Sequence, residues 1–548
     1  MKFRIPLLLA AIVAAAACTR DTAQVISGAT ATAPEYAPSG VPLSGKGFLT
    51  GPVAAAARFA SAPDLGALVR YPAQRVVRQD GAYTWYRADL SEAYAWAAIA
   101  SRRLVLTAPS GQLLDFRYER HVQHPNGDWT WIGSIVGDRS QEAIITFGAK
   151  AAFGTIGQPG KEPLRLTVRD GVSWLIETDP RKIADINNAG TKPTKPDYLV
   201  APDIAGAAAR RKNAAGMQAA GATQAGTAPG SVISAAGGVP ATTVDVVLGY
   251  TPGFVTSYGG ESQAFTRLNN LVDITNEAYV NSQIDAQIRL VRIVPVNYTD
   301  ANSNQTALEE LTGFVAPSTR TTPSAVFSEL RAARDQYGAD LVSLVRKFNT
   351  PENDGCGIAW LIGGGRSGID RTDEFFGYSV VSDGRDAGTD GKTYFCRDET
   401  LAHELGHNMG AQHDRDTADG ADNILQNNEY GVFDYSFGYK TGVATGNFYT
   451  IMAYGDSGQT RYRVFSNPRV TLCGGAPCGI ENQADNSRGL GLTIPTIATF
   501  RGAVVPAPGP RAIPAQFDIN ADGRADIIWH YPSSGEVYYY LMNGSTIT

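Results

Sequence analysis

Three of the six histidines in this chain of 548 residues lie within eleven positions, in "HELGHNMGAQH". His403 and His407 are four residues apart, so on an α-helix they lie one turn apart on the same face. Neutral imidazoles are good zinc ligands, with a metal–nitrogen distance of about 2.0–2.1 Å. The spacing therefore predicts a helix that presents two nitrogen ligands to one zinc ion.

The residues around this pair complete a pattern of five fixed positions. Glu404 follows the first histidine, which places its carboxylate beside the metal to act on a water molecule. Gly410 can adopt the left-handed conformation that ends a helix, and the resulting turn can return His413 as a third ligand. Three protein ligands leave the fourth position open, as in catalytic rather than structural zinc sites. The alternative is three unrelated surface histidines.

The stretch from His403 to His413 resembles the zinc signature of the metzincin metallopeptidases, which includes a later methionine turn. "YTIMAYG" resembles that turn, and its Met452 lies 39 residues after His413. The resemblance implies a zinc cofactor, hydrolysis of peptide bonds in proteins or peptides, and a Met452 side chain that forms an apolar floor beneath the histidines. Alone, a methionine in a turn is more typical of core packing.

Other details resemble different metzincin subfamilies. Asp414 and the segment "CGIAWL" from Cys356 resemble the reprolysin (adamalysin) group, in which that segment belongs to the substrate-binding edge strand. Tyr454 resembles a tyrosine of astacins and serralysins that reaches the zinc or the reaction oxyanion. The resemblance thus implies a bacterial reprolysin-like enzyme with a catalytic Tyr454, for which ordinary packing is the alternative. We expect Asp414 to brace the loop that carries His413.

The elements that must position these residues lie between residues 242 and 502. Apolar residues at a spacing near 3.6 predict a long helix over 260–282, and the zinc helix is predicted to begin around Asp398, a good N-cap residue. "TVDVVLGY", "AQIRLVRIVPVNY", "ADLVSLVRKF", "IAWLI" and "YSVVSD" are predicted strands, and "SAVFSELRAARDQYG" and "TIPTIATFRG" are predicted helices. The order predicts an α+β peptidase domain of the metzincin layout, in which a twisted mixed sheet with two long helices overlies a cleft.

The N-terminus has the features of an export signal over residues 1–17. Lys2 and Arg4 precede an apolar run of 13 residues, which is too short for a stable membrane anchor. The sequence ending at Cys18 resembles a lipoprotein processing box, and plain signal-peptidase cleavage after an alanine is the alternative. We therefore predict an exported bacterial protein that is either secreted or held at the outer membrane or cell surface by an N-terminal lipid, with no other membrane contact.

The segments between this signal and the peptidase predict a zymogen. Residues 18–60 form a flexible tether, and residues 61–202 have short branched and aromatic runs between turns, typical of a mostly β propeptide-like domain. Within it, "LSEAYAWAAIASR" could be helix or strand. Residues 203–241 are a low-complexity linker that contains the basic cluster Arg210-Arg211-Lys212. A spacer between two permanent domains is the alternative.

The latency device is not apparent from the sequence. In several metzincins a propeptide cysteine caps the zinc, but no cysteine lies between residues 19 and 355. His121 and His124 could cap the zinc instead, although ordinary surface histidines are the simpler interpretation.

Four cysteines remain besides Cys18, and an exported chain meets an oxidising compartment, so we expect disulfides. "CGGAPC" favours a local Cys473–Cys478 bond. The remaining pair, Cys356–Cys396, would tie the edge-strand region to the entrance of the zinc helix. A nucleophilic or metal-binding Cys396 is the alternative.

Residues 503–514 form a proline-rich linker, and residues 515–548 resemble one unit of the FG-GAP (VCBS-type) repeats. Four oxygen-bearing residues in this unit have the spacing of a calcium loop, although Trp529 stands where an EF-hand needs glutamate. Calcium is therefore a candidate second cofactor. The candidate calcium ligands are Asp518, Asn520, Asp522 and Asp526.

The net charge of −6 and the lack of arginine-rich runs argue against nucleic acid as a partner. We expect a monomeric zinc endopeptidase made as a zymogen. The alternative is a surface adhesin whose calcium module binds glycan or matrix, but the intact Glu404 favours the enzyme.

Overall fold

The computed structural model describes residues 65–505, except residues 170, 186–194, 203–239, 241, 318 and 389, together with short strands between residues 527 and 547. The predicted signal, Cys18, the tether, most of both linkers and all four candidate calcium ligands lie outside the described residues.

The N-terminal region forms one antiparallel sheet of ten strands, in the order β1-β3-β10-β9-β8-β7-β6-β5-β4 with β2 paired to β3. The segment that could be helix or strand is a helix, α1 (Glu92–Ser101), because the Ser91 hydroxyl accepts a hydrogen bond from the backbone of Tyr94 and caps its start. The strands are β1 Val69–Arg70, β2 Val77–Asp80, β3 Tyr83–Leu90, β4 Arg103–Thr107, β5 Leu113–Gln123, β6 Trp129–Ile135, β7 Asp138–Phe147, β8 Ala152–Gln158, β9 Lys161–Arg169 and β10 Val172–Thr178.

The peptidase sheet has six strands in the order β12-β18-β19-β17-β13-β14. All pairs are parallel except β18 with β19. The central strands are almost continuously apolar and buried, as expected for a sheet covered on both faces. The later strands are β11 Ile183–Asp185, β12 Tyr198–Val200, β13 Thr242–Tyr250, β14 Ala286–Pro295, β15 Phe314–Val315, β16 Thr319–Arg320, β17 Leu341–Lys347, β18 Gly357–Leu361, β19 Tyr378–Asp383, β20 Arg385–Ala387, β21 Thr393–Phe395, β22 Gln412–Asp414, β23 Phe437–Gly438, β24 Phe448–Tyr449, β25 Thr460–Arg461, β26 Ile527–Tyr531, β27 Glu536–Tyr540, β28 Met542–Asn543 and β29 Thr546–Ile547.

The helices after α1 are α2 Pro252–Tyr258, α3 Glu261–Asn281, α4 Asn304–Thr312, α5 Ser328–Gln336, α6 Thr400–Asn408, α7 Arg415–Ala418 and α8 Asn486–Ile497. Short 3₁₀ turns span Ala325–Phe327, Gly364–Arg366, Arg371–Phe376, Asn427–Glu429 and Val443–Thr445. The long helix α3 is buried on most sides because it lies between the peptidase sheet and the N-terminal sheet. No helix in the described part of the chain combines the length and apolar character needed to cross a membrane.

Two predicted helix boundaries were wrong. The zinc helix α6 begins at Thr400 with Glu399 as its N-cap residue. Asp398 cannot cap it because its carboxylate accepts hydrogen bonds from Arg267 (2.7 Å) and Thr155 (2.8 Å). The terminal helix α8 begins seven residues earlier than predicted because Asp485 caps it at its true start.

The predicted propeptide-like domain also contributes to the peptidase sheets. Strand β11 pairs in parallel with β21, and strand β12 pairs in parallel with β18. Without β12, β18 would be the edge of the peptidase sheet.

Candidate metal centre

The three histidines of the predicted zinc signature converge on one point. The Nε2 atom of His413 lies 3.2 Å from that of His403 and 3.1 Å from that of His407. Two nitrogen ligands of one tetrahedral zinc ion lie about 3.3 Å apart when each metal–nitrogen bond is about 2.0–2.1 Å. All three side chains are buried. The arrangement therefore fits a single zinc ion held by three Nε2 atoms.

Backbone carbonyls orient two of the rings. The Nδ1 atom of His403 lies 2.9 Å from the carbonyl oxygen of Ile451, and that of His407 lies 2.8 Å from the carbonyl oxygen of Ala411. A carbonyl only accepts, so each Nδ1 carries the hydrogen and each Nε2 keeps its lone pair for a metal. Burial lowers the pKa of His407 to about 4, which keeps this imidazole neutral.

Local backbone features bring the third histidine and the methionine turn into place. Gly410 has a φ of +91°, which lets the chain turn at the end of α6 and run into β22, where His413 lies. A Cβ at Gly406 would lie 2.7 Å from the Met452 sulfur, so the methionine packs directly against α6. Met452 is fully buried, as an apolar floor under the histidines requires.

A fourth group, which the sequence analysis missed, reaches the same point. One carboxylate oxygen of Asp197 lies 2.7 Å from Nε2 of His413 and 3.3 Å from Nε2 of His407, and the other lies 3.3 Å from Nε2 of His403. Burial alone would raise the pKa of Asp197. The neighbouring histidines nevertheless hold this pKa well below its ordinary value. With the three histidines, Asp197 forms a buried group of four side chains whose candidate ligand atoms all lie within 4.8 Å of one another. The available sequence signal was an aspartate before the apolar run "YLV", just upstream of the low-complexity segment.

Strand β12 holds Asp197 in this position. The backbone carbonyl of Asp197 accepts a hydrogen bond from Ala359 of β18 (3.2 Å). After the strand, Ala201 donates to the carbonyl of Leu361 (3.2 Å). The segment predicted to bind an extended substrate is therefore paired with the chain's own N-terminal region.

Glu404 and Tyr454 both lie at this centre. Burial, followed by the charge of Asp197, raises the pKa of the fully buried Glu404. The Tyr454 hydroxyl donates a hydrogen bond to Asp197, and the centre of its ring lies 4.5 Å from that of His413.

Asp414 joins the two loops of the centre. Its carboxylate accepts hydrogen bonds from the backbone of Tyr454 (3.0 Å) and from the Thr417 hydroxyl (2.7 Å), and so caps α7. The residue that follows the third histidine therefore also fixes the backbone of the tyrosine.

The remaining candidates lie in separate places. Disulfides join Cys356 to Cys396 and Cys473 to Cys478. Neither His121 nor His124 belongs to the metal centre, so the interpretation as a metal cap was wrong, and the surface interpretation was wrong for His124. His124 is buried against Asp273 of α3 (2.9 Å), and the half-buried His121 lies 2.7 Å from the Tyr118 hydroxyl.

Comparisons with known proteins agree with this geometry. Residues 240–484 match the family described as metallo-peptidase family M12B, reprolysin-like. Three relatives are each named peptidyl-Asp metalloendopeptidase. One from Pseudomonas aeruginosa is 32% identical over 292 residues, which are 50% of this chain and 43% of that protein. One from Stenotrophomonas maltophilia is 31% identical over 272 residues, which are 49% of this chain and 55% of that protein. One from Xanthomonas campestris pv. campestris is 26% identical over 420 residues, which are 74% of this chain and 84% of that protein.

The chain spans about half the length of the first two relatives that it matches. The family match includes the three histidines, Glu404 and Met452. Residues 240–484 are therefore similar to the reprolysin-like metallopeptidases of family M12B, and the relatives that the chain matches are named as metalloendopeptidases.

Proposed function

We propose that this protein is a zinc-dependent endopeptidase that cleaves proteins and that its N-terminal region holds it inactive until that region is removed. The observation that carries the proposal is the convergence of three imidazole Nε2 atoms, with Glu404 on the same helix as two of them. Every polar group needed for the hydrolysis of a peptide bond lies within this one buried cluster.

Each residue of the centre has its own role in the proposed reaction. When bound, zinc supplies a Lewis acid that polarises the scissile carbonyl and lowers the pKa of water. Glu404 accepts the proton of the attacking water at its carboxylate and later delivers it to the nitrogen of the leaving amine. Tyr454 donates its hydroxyl hydrogen to the carbonyl oxygen as that oxygen gains negative charge. Asp414 holds the His413 loop and the Tyr454 backbone in register.

We propose that the substrates are proteins cleaved next to an aspartate. The support is the printed name that the three relatives share, peptidyl-Asp metalloendopeptidase. An extended substrate would pair with β18, the strand that β12 covers in this structure.

Latency would depend on Asp197. Its carboxylate takes the place that a substrate carbonyl and water need, and β12 blocks the strand that an extended substrate would use. The basic cluster Arg210-Arg211-Lys212 follows β12 in the sequence and offers a cleavage point for a trypsin-like activator. Cleavage there would let the N-terminal region leave with Asp197.

Export by residues 1–17, lipidation of Cys18 and calcium binding by the C-terminal unit remain predictions from the sequence. They are consistent with an enzyme that works outside the cytoplasm on protein substrates.

The test is Glu404→Ala in the zinc-loaded full chain after trypsin treatment. We expect casein hydrolysis to fall by about two to four orders of magnitude because the general base is lost. Zinc content and thermal unfolding should stay unchanged because the three histidines remain. Glu352→Ala, at an exposed glutamate, is the matched control. Wild-type turnover by a zinc-loaded Glu404→Ala protein would contradict the proposed mechanism.

A further inference from the structure

A cleft adjoins the metal centre on the side of His403 and Glu404. Its walls include Thr400 of α6, the start of β18 at Cys356, and the methionine turn. A residue next to the scissile bond must place its side chain near this cleft, because the catalytic carboxylate and the first histidine form part of the same wall.

Two guanidinium groups, Arg397 and Arg461, give the cleft its charge. Both side chains are partly exposed. The cleft wall contains two acidic residues, Glu404 and Glu399. The Glu399 carboxylate forms ion pairs with both Arg461 (3.3 Å) and Arg463 (2.9 Å). Two guanidinium groups thus lie in the same wall as Glu404, and Glu399 pairs with that of Arg461.

Tyr449 lies next to both arginines, with its ring against Arg397 and its backbone opposite that of Arg461. The guanidinium carbon of Arg397 lies 4.6 Å from the centre of the Tyr449 ring, a cation–π contact. Tyr449 in β24 also pairs with Arg461 in β25. The Cys356–Cys396 disulfide fixes the backbone next to Arg397. The guanidinium group of Arg397 is therefore held by an aromatic ring and that of Arg461 by the Glu399 carboxylate, as a specificity site requires.

We propose that Arg397 and Arg461 form the subsite that binds an acidic side chain of the substrate next to the scissile bond. This inference rests on the proposed peptidase function. A carboxylate accepts paired hydrogen bonds from a guanidinium group, and an amide of the same shape lacks the charge that strengthens them. The arrangement thus separates aspartate from asparagine, which have nearly the same size.

The experiment uses the zinc-loaded full chain after trypsin treatment and pairs of fluorogenic peptides that differ only by aspartate or asparagine at a position flanking the scissile bond. We expect wild-type kcat/KM to favour aspartate. Arg461→Gln and Arg397→Gln should each lower the aspartate/asparagine ratio by about 10- to 100-fold, mainly by slowing cleavage of the aspartate peptide. Arg371→Gln, at an exposed arginine in the same domain, should leave the ratio unchanged.

Two further variants separate charge recognition from packing. Arg461→Lys should restore part of the preference for aspartate, and Arg461→Glu should favour a peptide with lysine at that position. Zinc content and thermal unfolding identify any variant that fails to fold. Even then the wild-type ratio is decisive, because a wild-type enzyme that cleaves both peptides equally overturns the inference.

The outcomes distinguish this inference from the proposed function. Peptide cleavage with unchanged ratios in both glutamine variants would overturn the subsite and leave the peptidase intact. Failure of the zinc-loaded wild type to cleave any peptide before or after trypsin would overturn both.

Discussion

Two of the contacts between the N-terminal region and the peptidase domain differ in character. The docking contact is the face of strands β5–β8 that lies on α3, where Asn281 pairs with Glu142 (2.6 Å) and Asn270 with Thr146 (3.0 Å). The blocking contact is residues 195–202, which place a single carboxylate, Asp197, on the histidines. On the proposed function, the first contact would set the strength of association and the second would control activity.

The docking contact is largely polar. Arg463 pairs with Glu142 of the N-terminal sheet (2.6 Å) and with Glu399 of its own domain (2.9 Å). A small apolar cluster, Ile132 and Ile144 of the sheet with Ile274 of α3, lies within it. Interfaces between separable domains are commonly more polar than domain cores. Such a contact can hold the N-terminal region before cleavage and still release it afterwards.

The largest effect is expected from a variant on the catalytic side of the blocking contact. Tyr454→Phe removes the hydroxyl that donates to Asp197, and in the active enzyme it removes a donor to the reaction oxyanion. We expect kcat of the trypsin-treated protein to fall by about 10- to 1000-fold with KM little changed. Steady-state kinetics and zinc analysis measure this.

Asp414→Ala is the companion variant, because it should lower zinc retention or thermal stability as well as rate. A silent Tyr454→Phe variant would mean that the tyrosine only packs beside the centre.

Asp197→Ala breaks the blocking contact and leaves the docking contact intact. We expect the uncut, zinc-loaded chain to hydrolyse short peptides up to about 100-fold faster than the uncut wild type, because a group that competes at the metal is lost. Cobalt substitution gives a readout besides activity, since the visible spectrum should change when the carboxylate ligand is removed. Asp179→Ala, at an aspartate that pairs with Arg181 outside the centre, is the control. Identical cobalt spectra and rates for the wild type and Asp197→Ala would rule out this block.

Ile144→Ala breaks the docking contact and spares the blocking contact. The lost side chain leaves a cavity beside Ile274, which typically costs about 2 kcal/mol or more, or roughly 30-fold in affinity. After trypsin treatment, gel filtration should show a larger fraction of the N-terminal fragment dissociated from the peptidase domain in the variant than in the wild type. Ile176→Ala is the matched control, because Ile176 packs on Tyr83 and Trp85 within the N-terminal sheet. Equal separation in both variants would show that Ile144 does not contribute to docking.

The smallest effect concerns pH. Burial raises the pKa of Glu142 from 4.5 to about 8, although Arg463 opposes the shift. The folded protein therefore binds this proton more strongly than the unfolded chain. The stabilisation is complete below pH 4.5 and is lost as the pH rises through about 8.

Between pH 6 and pH 8.5 the wild-type Tm should therefore fall by about 2–4 °C more than that of Glu142→Gln, which has no proton to lose. Glu352→Gln should behave as the wild type. A larger fall in the glutamine variant would mean that Glu142 is ionised in the fold.

The zinc ligands could be predicted because their geometry is local. His403, Glu404 and His407 share one helix, and Gly410 allows the turn to His413, so spacing alone predicts that the three histidines converge. The N-cap of that helix was predicted one residue too early because Asp398 forms ion pairs with distant segments rather than a local cap. A capping rule considers only neighbours in the sequence.

Asp197 could not be predicted for the same reason. Its position depends on the pairing of β12 with β18, which joins segments far apart in the chain. Arg397 and Arg461 likewise come together because β24 pairs with β25 and the Tyr449 ring of β24 lies against Arg397. Spacing patterns describe one segment at a time, so groups assembled from several segments need the fold.

The most direct test of the central claim is casein hydrolysis by the full chain containing one zinc ion, measured before and after trypsin treatment and with or without a chelator. The account predicts little hydrolysis before the cut, strong hydrolysis after it, loss of that activity with chelator and recovery on adding zinc. Hydrolysis that survives complete removal of zinc, or no hydrolysis by the cut and zinc-loaded chain, would contradict it.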